Sequence, residues 1–229
     1  MTPSPQRVPI PNNLPPNGPL KRNDRWASMT WAIDSAAAHG KEALRSLAIA
    51  YGRILQARQL ESLICDAREH RSGSLRSVDL LWESDPDKPS LNDDALLPPQ
   101  PSLLRGAWNT AIVLPSPWEP YRLFRSLENL WSGGRWGTWR QSDNHVFIAW
   151  QPWPIVWVEN GNHSTISAIL KGDGEFSCQS RDATPLLNAV RTDGSEWFHV
   201  QSGKAFATVD CLEMAAIFEI GRRLVAMSR

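Results

Sequence analysis

A polar segment centred on a glycine separates two apolar runs of different character in the second half of the chain. The first run, Pro154-Ile155-Val156-Trp157-Val158, is short and β-branched, which predicts a buried strand. The second run, residues 166–170, predicts a helix. A strand-to-helix turn presents backbone N–H groups and short side chains at a helix N-terminus, where proteins commonly hold anions or do chemistry. The turn at residues 159–164 is therefore the candidate functional site.

The residues of this turn offer a limited chemistry. His163 titrates near neutral pH and is the candidate general acid or base, and Glu159, at the end of the same strand, would orient the imidazole or titrate. Short polar groups would hold a ligand: Asn160, Gly161, Asn162 and Ser164. A structural interpretation competes with this one, in which Asn-Gly forms a turn, Ser164 caps the helix and His163 bonds a backbone carbonyl. Both an enzyme and a binding domain fit these residues.

The turn resembles the motif of the ParB/sulfiredoxin-like superfamily, approximately Asp-Gly-x-His/Arg-Arg-x-x-Ala-Ala. Asn160, Gly161 and His163 take the places of its Asp, Gly and first basic residue. The resemblance implies contact with the phosphates of a nucleotide or a nucleic acid. Ser164 replaces the phosphate-binding Arg, and Asn162 stands where sulfiredoxins have their catalytic Cys, so sulfiredoxin chemistry is not implied. The Gly-Asn-His-Ser core also looks like that of uncharacterised bacterial domain families, which imply no chemistry.

Aromatic residues are unusually abundant, with 12 tryptophans in the chain. Their rings would either stack on bases or sugars or fill the core, and the alternation of several with aliphatic residues favours the core. Arg135 and Arg140 are interleaved with Trp136 and Trp139, so that this loop would add positive charge for a phosphate. The alternative for the loop is a solvated surface connection.

Composition excludes some classes of function. Lys plus Arg and Asp plus Glu number 24 each, which gives no global charge for binding nucleic acid or an anionic membrane. Three separated cysteines without CxxC spacing, together with the lack of a signal segment or membrane span, predict a cytoplasmic protein. His145, His163 and His199 lack metal-ligand spacing, so we expect no metal site. No cofactor follows from the sequence.

The chain divides into four predicted regions. Residues 1–22 contain seven prolines and predict an extended, disordered tail. Residues 23–70 predict a helical hairpin broken at Gly40, and residues 71–104 predict a linker or loop rich in Pro and Asp. Residues 105–229 predict an α+β domain.

Local signals predict the elements of that last region. Strands are expected at 108–114, 145–150, 154–158 and 175–179, with a hairpin at 197–209. Capping boxes predict helices that begin after Ser116 and after Asp210, and Thr184-Pro185 predicts another helix start. The expected fold is α+β, in which the N-terminal helical hairpin packs on a mixed sheet of about five strands and a C-terminal helix covers one face.

Two hypotheses about function follow. In the first, the Gly161 turn binds or processes a nucleotide or nucleic-acid phosphate through His163. In the second, the protein is a non-catalytic interaction module whose Trp-rich surface and Pro-rich tail engage a protein partner. No membrane partner is expected under either hypothesis.

Overall fold

The computed structural model describes residues 21–65, 80–82, 87–117, 119–131, 134–135, 137–172 and 174–228. These residues form an α+β fold, as the sequence predicts. The helices are α1 Arg22–His39, α2 Lys41–Cys65, α3 Pro120–Leu130, α4 Asn162–Lys171, α5 Thr184–Ala189 and α6 Leu212–Ala226. The strands are β1 Pro99–Ala107, β2 Ile112–Leu114, β3 Val146–Gln151, β4 Ile155–Asn160, β5 Glu175–Asp182, β6 Val190–Thr192, β7 Glu196–His199 and β8 Ala205–Thr208.

The predicted helical hairpin is confirmed over α1 and α2. Gly40 has φ 102°, a backbone conformation that ends α1 and that glycine adopts without strain. Lys21 is the N-cap residue of α1 and makes no side-chain capping hydrogen bond, and Asp24 lies in the first turn. The expected continuation of α2 to residue 70, like the proline-rich tail at residues 1–20, lies outside the described residues.

The main sheet has five strands in the order β1-β5-β3-β4-β2, which confirms the predicted mixed sheet. β2 runs parallel to β4 and β3 runs parallel to β5, whereas β3 and β4 are antiparallel, as are β1 and β5. β1 begins at Pro99, inside the stretch predicted as a linker. An edge strand tolerates proline because the missing N–H does not interrupt an interior ladder. Proline content therefore predicted a linker where the chain forms an edge strand.

Three further strands form a second sheet. Its order is β6-β7-β8 with antiparallel pairing throughout, so the predicted hairpin at residues 197–209 is confirmed. β6 was not predicted, because three residues directly after α5 carry too little pattern to identify a strand.

Successive side chains along the strands of the main sheet point to opposite faces, and each face is covered by a hydrophobic core. In β4, Ile155 and Trp157 face a core formed with α1, α2 and α6, whereas Val156 and Val158 face a core that includes residues of α3 and α4. The described tryptophans mostly fill these two cores, and seven are buried: Trp82, Trp108, Trp139, Trp150, Trp153, Trp157 and Trp197. These seven rings are core residues and do not form a binding surface, which confirms the core interpretation for them.

Two helix starts differ from prediction. α3 begins at Pro120, because the Glu119 side chain caps it by accepting from the Tyr121 N–H at 3.3 Å. The predicted capping box that starts at Ser116 is therefore wrong. The predicted box at Asp210 is wrong as well, because Cys211 is the N-cap of α6. Glu213 points instead into an ion-pair cluster with α1 and α2.

α6 lies across the first core and meets the sheet at close range. A Cβ added at Gly221 would overlap the indole of Trp153, so the ring rests directly on the helix backbone.

The described part of the predicted linker joins the same core through Leu81, Trp82 and Leu97. That residues 71–104 separate a helical hairpin from an α+β domain stays a prediction. Among the described residues, no helix is long and apolar enough to cross a membrane.

Candidate functional site

The candidate turn lies at the carboxyl end of β4. Because β2 is parallel to β4, both strands end at the same edge of the sheet, and the loops that follow them are neighbours. Gly161 has φ 85° and leads directly into α4. The geometry therefore confirms the strand, turn and helix predicted at residues 154–170, and places the loop that precedes α3 next to the turn.

Two side chains at the start of α4 bind that neighbouring loop. The Asn162 Oδ1 atom accepts a hydrogen bond from the Ser116 N–H at 2.7 Å. The His163 Nε2 atom accepts one from the Glu119 N–H at 3.0 Å. Both side chains are buried. The two residues thus satisfy backbone donors at the entrance to α3 and fix that loop on α4.

The protonation state of His163 follows from its partner. An Nε2 atom that accepts from a backbone N–H carries no proton, so the neutral ring holds its proton on Nδ1. Burial, and after it the positive charge of Arg122, lower the pKa of His163 from 6.5 to about 4, although the charge of Glu119 opposes the shift. At neutral pH the ring is uncharged. In this geometry it serves as a hydrogen-bond acceptor, and its role as a catalytic residue stays a prediction.

Ser164 contacts a histidine that the sequence did not connect with it. Its Oγ lies 2.7 Å from His145 Nε2 and donates to the Gly161 carbonyl at 3.0 Å. The His145 Nδ1 atom accepts from the Ser142 N–H at 3.0 Å, so Nε2 carries the ring proton and donates it to Ser164. A base that activates a serine must accept the hydroxyl proton, and His145 is held in the opposite tautomer. The pair therefore stabilises the turn.

Gly161 is required at its position for two reasons. Its φ of 85° lies in the left-handed region, which residues with a Cβ adopt at a cost. A Cβ there would also overlap the His145 ring. The close approach lets His145 reach Ser164 across the turn.

The remaining polar residues of the turn are near the surface. The Asn160 side chain donates to Asn144 Oδ1 at 3.0 Å and accepts from the Gly161 N–H at 2.9 Å. Glu159 is exposed at the end of β4. Asn160 therefore fixes the turn to the loop before β3, and the proposed role of Glu159 stays a prediction.

Arg135 and Arg140 are both exposed. The loop that carries Arg140 reaches the turn through its neighbour Trp139, whose ring packs against His145 with centroids 4.9 Å apart. Trp136 lies outside the described residues. The structure thus brings the Arg140 loop to the turn, and contact of either arginine with a ligand stays a prediction.

The three candidate histidines, all within the described residues, do not converge on one point. His145 contacts Ser164, His163 contacts the loop before α3, and His199 packs on Phe206 in the second sheet with centroids 4.7 Å apart. Within the described ranges, no group of three His, Cys, Asp or Glu side chains could hold a metal ion.

α3 has an exposed aromatic surface that was not predicted from the sequence. Leu123, Ser126 and Leu130 are buried on its inner side. On the opposite side, Tyr121 is 65% exposed and Phe124 is 51% exposed. Leu123, Leu127 and Leu130 form the apolar stripe of the inner side, and Tyr121 and Phe124 lie apart from it. Their separation from that stripe was the signal available in the sequence.

We name this surface the outer α3 face and define it by Tyr121, Phe124, Arg125, Glu128 and Trp131. Residues 121, 124, 125 and 128 share one side of a helix because they are three or four apart. Trp131, directly after the helix, is 54% exposed. The Arg125 guanidinium lies 5.9 Å from the centre of the Tyr121 ring.

Comparison with known proteins gives one relationship. Residues 33–228 match the model of a family of unknown function, DUF6710. No curated protein and no solved structure matches the chain. No link to the ParB/sulfiredoxin-like superfamily is shown. Since the match spans most of the 229 residues, the chain belongs to the family of unknown function DUF6710.

Proposed function

We propose that this protein is a non-catalytic interaction module that binds an extended, proline-rich segment on the outer α3 face. The observation that carries the proposal is the exposure of two large aromatic rings on the solvent side of one short helix, Tyr121 and Phe124, and of a third, Trp131, directly after that helix. The solvent side of a surface helix is normally polar. Exposed aromatic residues next to an arginine have the composition that dominates binding energy in protein interfaces.

The chemistry of the face fits proline-rich chains. A polyproline II helix presents flat pyrrolidine rings and unpaired carbonyl oxygens, with few N–H groups to desolvate. Aromatic rings pack on the pyrrolidines, while the Tyr121 hydroxyl and the Trp131 indole N–H are donors for the carbonyls.

The polar turn supports this surface in our proposal. Asn162 and His163 bind the loop that leads into α3, and Leu123 of α3 packs on Ile166 of α4. These contacts fix the position of α3 on α4, so that the aromatic rings stay oriented without contributing to the core. Buried His163 would then serve binding indirectly, by positioning the helix.

Binding of a decaproline peptide, measured by calorimetric titration, tests the proposal. We expect saturable binding to the full chain, and a loss of at least about tenfold in affinity for the Tyr121→Ala/Phe124→Ala variant, because each truncated anchor costs about 1 kcal/mol or more. Val200→Ala is the matched control, since Val200 is an exposed apolar residue of the hairpin between β7 and β8. Equal affinity of the double variant and the unchanged chain would refute the proposal.

Phosphate binding at the Gly161 turn stays a second proposal. Its support is Arg122, whose charge acts on His163 and thus lies near the N-terminus of α4. Titration with ATP and with a single-stranded oligonucleotide tests it alongside the decaproline peptide. For either activity we infer a reducing, cytoplasmic setting, because Cys178 and Cys211 are free thiols.

A further inference from the structure

We propose that the outer α3 face is occupied by the proline-rich segment of this same chain, residues 1–20. The inference rests on the proposed function, since it names the segment that the face binds. It would make the chain its own ligand, which an external partner has to displace.

The sequence of the segment has the chemistry that the face requires. Seven of the 20 residues are proline, and Val8, Ile10 and Leu14 are interspersed among them. Proline fixes φ before binding, so that ordering such a segment costs less conformational entropy than ordering an ordinary chain. Arg7 is its single charged side chain, which leaves apolar contact as the main source of affinity.

The segment joins the fold at the beginning of α1, where Arg22 donates to the carbonyl oxygens of Gly194 and Val209, and α2 connects this point with α3. Residue 21 precedes α1, and Arg25 in the first turn of α1 binds Glu213 at 2.8 Å. Arg58 of α2 binds the same carboxylate at 2.6 Å. The beginning of α1 and the second half of α2 are therefore adjacent.

The second half of α2 in turn contacts α3. Leu60, two residues after Arg58, packs with Leu123 and Leu127 on the inner side of α3 and with Ile166 of α4. A segment that leaves the fold before Arg22 thus starts at the end of α2 that touches α3. Twenty residues in a polyproline II conformation extend about 60 Å, which is ample for reaching the other side of a helix about 10 Å wide.

Covalent attachment makes a weak contact sufficient. A short flexible connection holds a ligand at an effective concentration in the millimolar range. A binding constant too weak to capture a free peptide at cellular concentrations would therefore keep the face mostly occupied. An external proline-rich partner has to compete, so its apparent affinity equals its intrinsic affinity multiplied by the fraction of chains in which the face is free.

The other exposed apolar residues offer no comparable place for the segment. Leu103 lies at the bulge of edge strand β1, Val146 begins β3, and Val200 lies in the hairpin of the second sheet. The remaining ones are also separate from one another: Ile54 and Ile64 lie about three turns apart on α2, Leu170 lies near the end of α4, and Met227 directly follows α6. Single exposed apolar residues of this kind are ordinary on protein surfaces. The outer α3 face is the place in the described ranges where three exposed aromatic rings belong to one helix and its cap.

Photo-crosslinking tests the inference on the full chain. The photoreactive amino acid benzoylphenylalanine replaces Phe124, and after irradiation the crosslinked peptides are identified by mass spectrometry. We expect crosslinks to residues 1–20 within chains that migrate as monomers. Benzoylphenylalanine at Val200 is the control and should give no such crosslink. Replacing Pro9, Pro11, Pro15 and Pro16 by Ser should reduce the Phe124 crosslink at least about threefold and strengthen decaproline binding by a similar factor.

Each outcome is decisive. Crosslinks to residues 1–20 of a second chain, seen as covalent dimers, would overturn occupation within one chain and identify another copy as the ligand. Decaproline binding that depends on Tyr121 and Phe124, without any crosslink to residues 1–20, would overturn this inference and leave the proposed function standing. Loss of both signals would refute the inference and the proposed function together.

Discussion

At the scale of single residues, the turn between β4 and α4 is a set of side chains that hold neighbouring loops. His163 and Asn162 accept hydrogen bonds from backbone N–H groups of the loop before α3, and Ser164 accepts a hydrogen bond from the His145 ring. The identities of these residues could be read from the sequence as polar and titratable. Their partners lie 19 to 46 residues away, so no local pattern could identify them. The sequence therefore predicted where the turn lies, and the tertiary contacts determine what its side chains do.

The buried imidazole makes stability depend on pH. The pKa of His163 falls from 6.5 to about 4 on folding, so the unfolded chain takes up a proton first as the pH decreases. The free energy of unfolding is therefore unaffected by this group above pH 6.5. It decreases as the pH falls from 6.5 to 4, by up to roughly 3 kcal/mol. Urea unfolding as a function of pH should show this slope, and His163→Gln should remove most of it. The exposed His39→Gln serves as the control and should retain the slope; a His163→Gln profile like that of the unchanged chain would contradict the prediction.

Gly161 and Gly172 form a matched pair for separating backbone strain from a steric contact. Both adopt left-handed conformations, with φ 85° and 69°, but a Cβ would overlap the His145 ring only at Gly161 and would meet open space at Gly172. Gly172→Ala should cost about 1 kcal/mol, and Gly161→Ala should cost about 1–3 kcal/mol more, because the ring has to move. Equal losses in the free energy of unfolding by urea would show that the contact with His145 is unimportant.

At the scale of elements, one buried carboxylate connects three helices. Glu213, at the start of α6, is 2% exposed and binds Arg25 of α1 and Arg58 of α2. The predicted capping box at Asp210 implies that this glutamate binds the backbone at the start of its own helix. In the structure it forms ion pairs with two other helices instead. Local signals identified α6 correctly, and they failed on its first turn because long-range electrostatics determine the orientation of Glu213.

Removal of this charge should loosen the helical layer. Burial raises the pKa of Glu213, but its hydrogen bond with Arg58 and the charges of Arg58 and Arg25 outweigh that effect, so the pKa lies below its usual value. Its contribution is therefore present above about pH 4.5 and is lost as the pH falls through the lowered pKa. We expect Glu213→Gln to cost about 3 kcal/mol at pH 7, since two arginines lose their partner.

The control for that variant is the exposed pair of Asp34 and Arg223, for which Asp34→Asn should cost less than about 1 kcal/mol. The measurement is the free energy of unfolding by urea at pH 7 and at decreasing pH. If Glu213→Gln were no more harmful than Asp34→Asn, the cluster would not be what connects the three helices.

At the scale of the whole molecule, periodicity predicted more of the fold than composition did. The helical hairpin and the β3–β4 pair follow from the spacing of apolar residues, and both are present. Composition was misleading at Pro99, because an edge strand accepts residues that an inner strand would not. The outer α3 face was missed because a sequence shows which residues are apolar, and only the packed structure shows which of them remain outside the core.

The contact between Trp153 and Gly221 restricts which residues can stand at these two positions in other members of the family. An indole resting on a helix backbone leaves no volume for even a methyl group, so neither site can drift independently. Relatives that keep the tryptophan should keep the glycine, and those with a bulkier residue in the helix should carry a smaller one on the opposing strand connection. Such coordinated replacement would mark how closely the last helix lies on the sheet across the family.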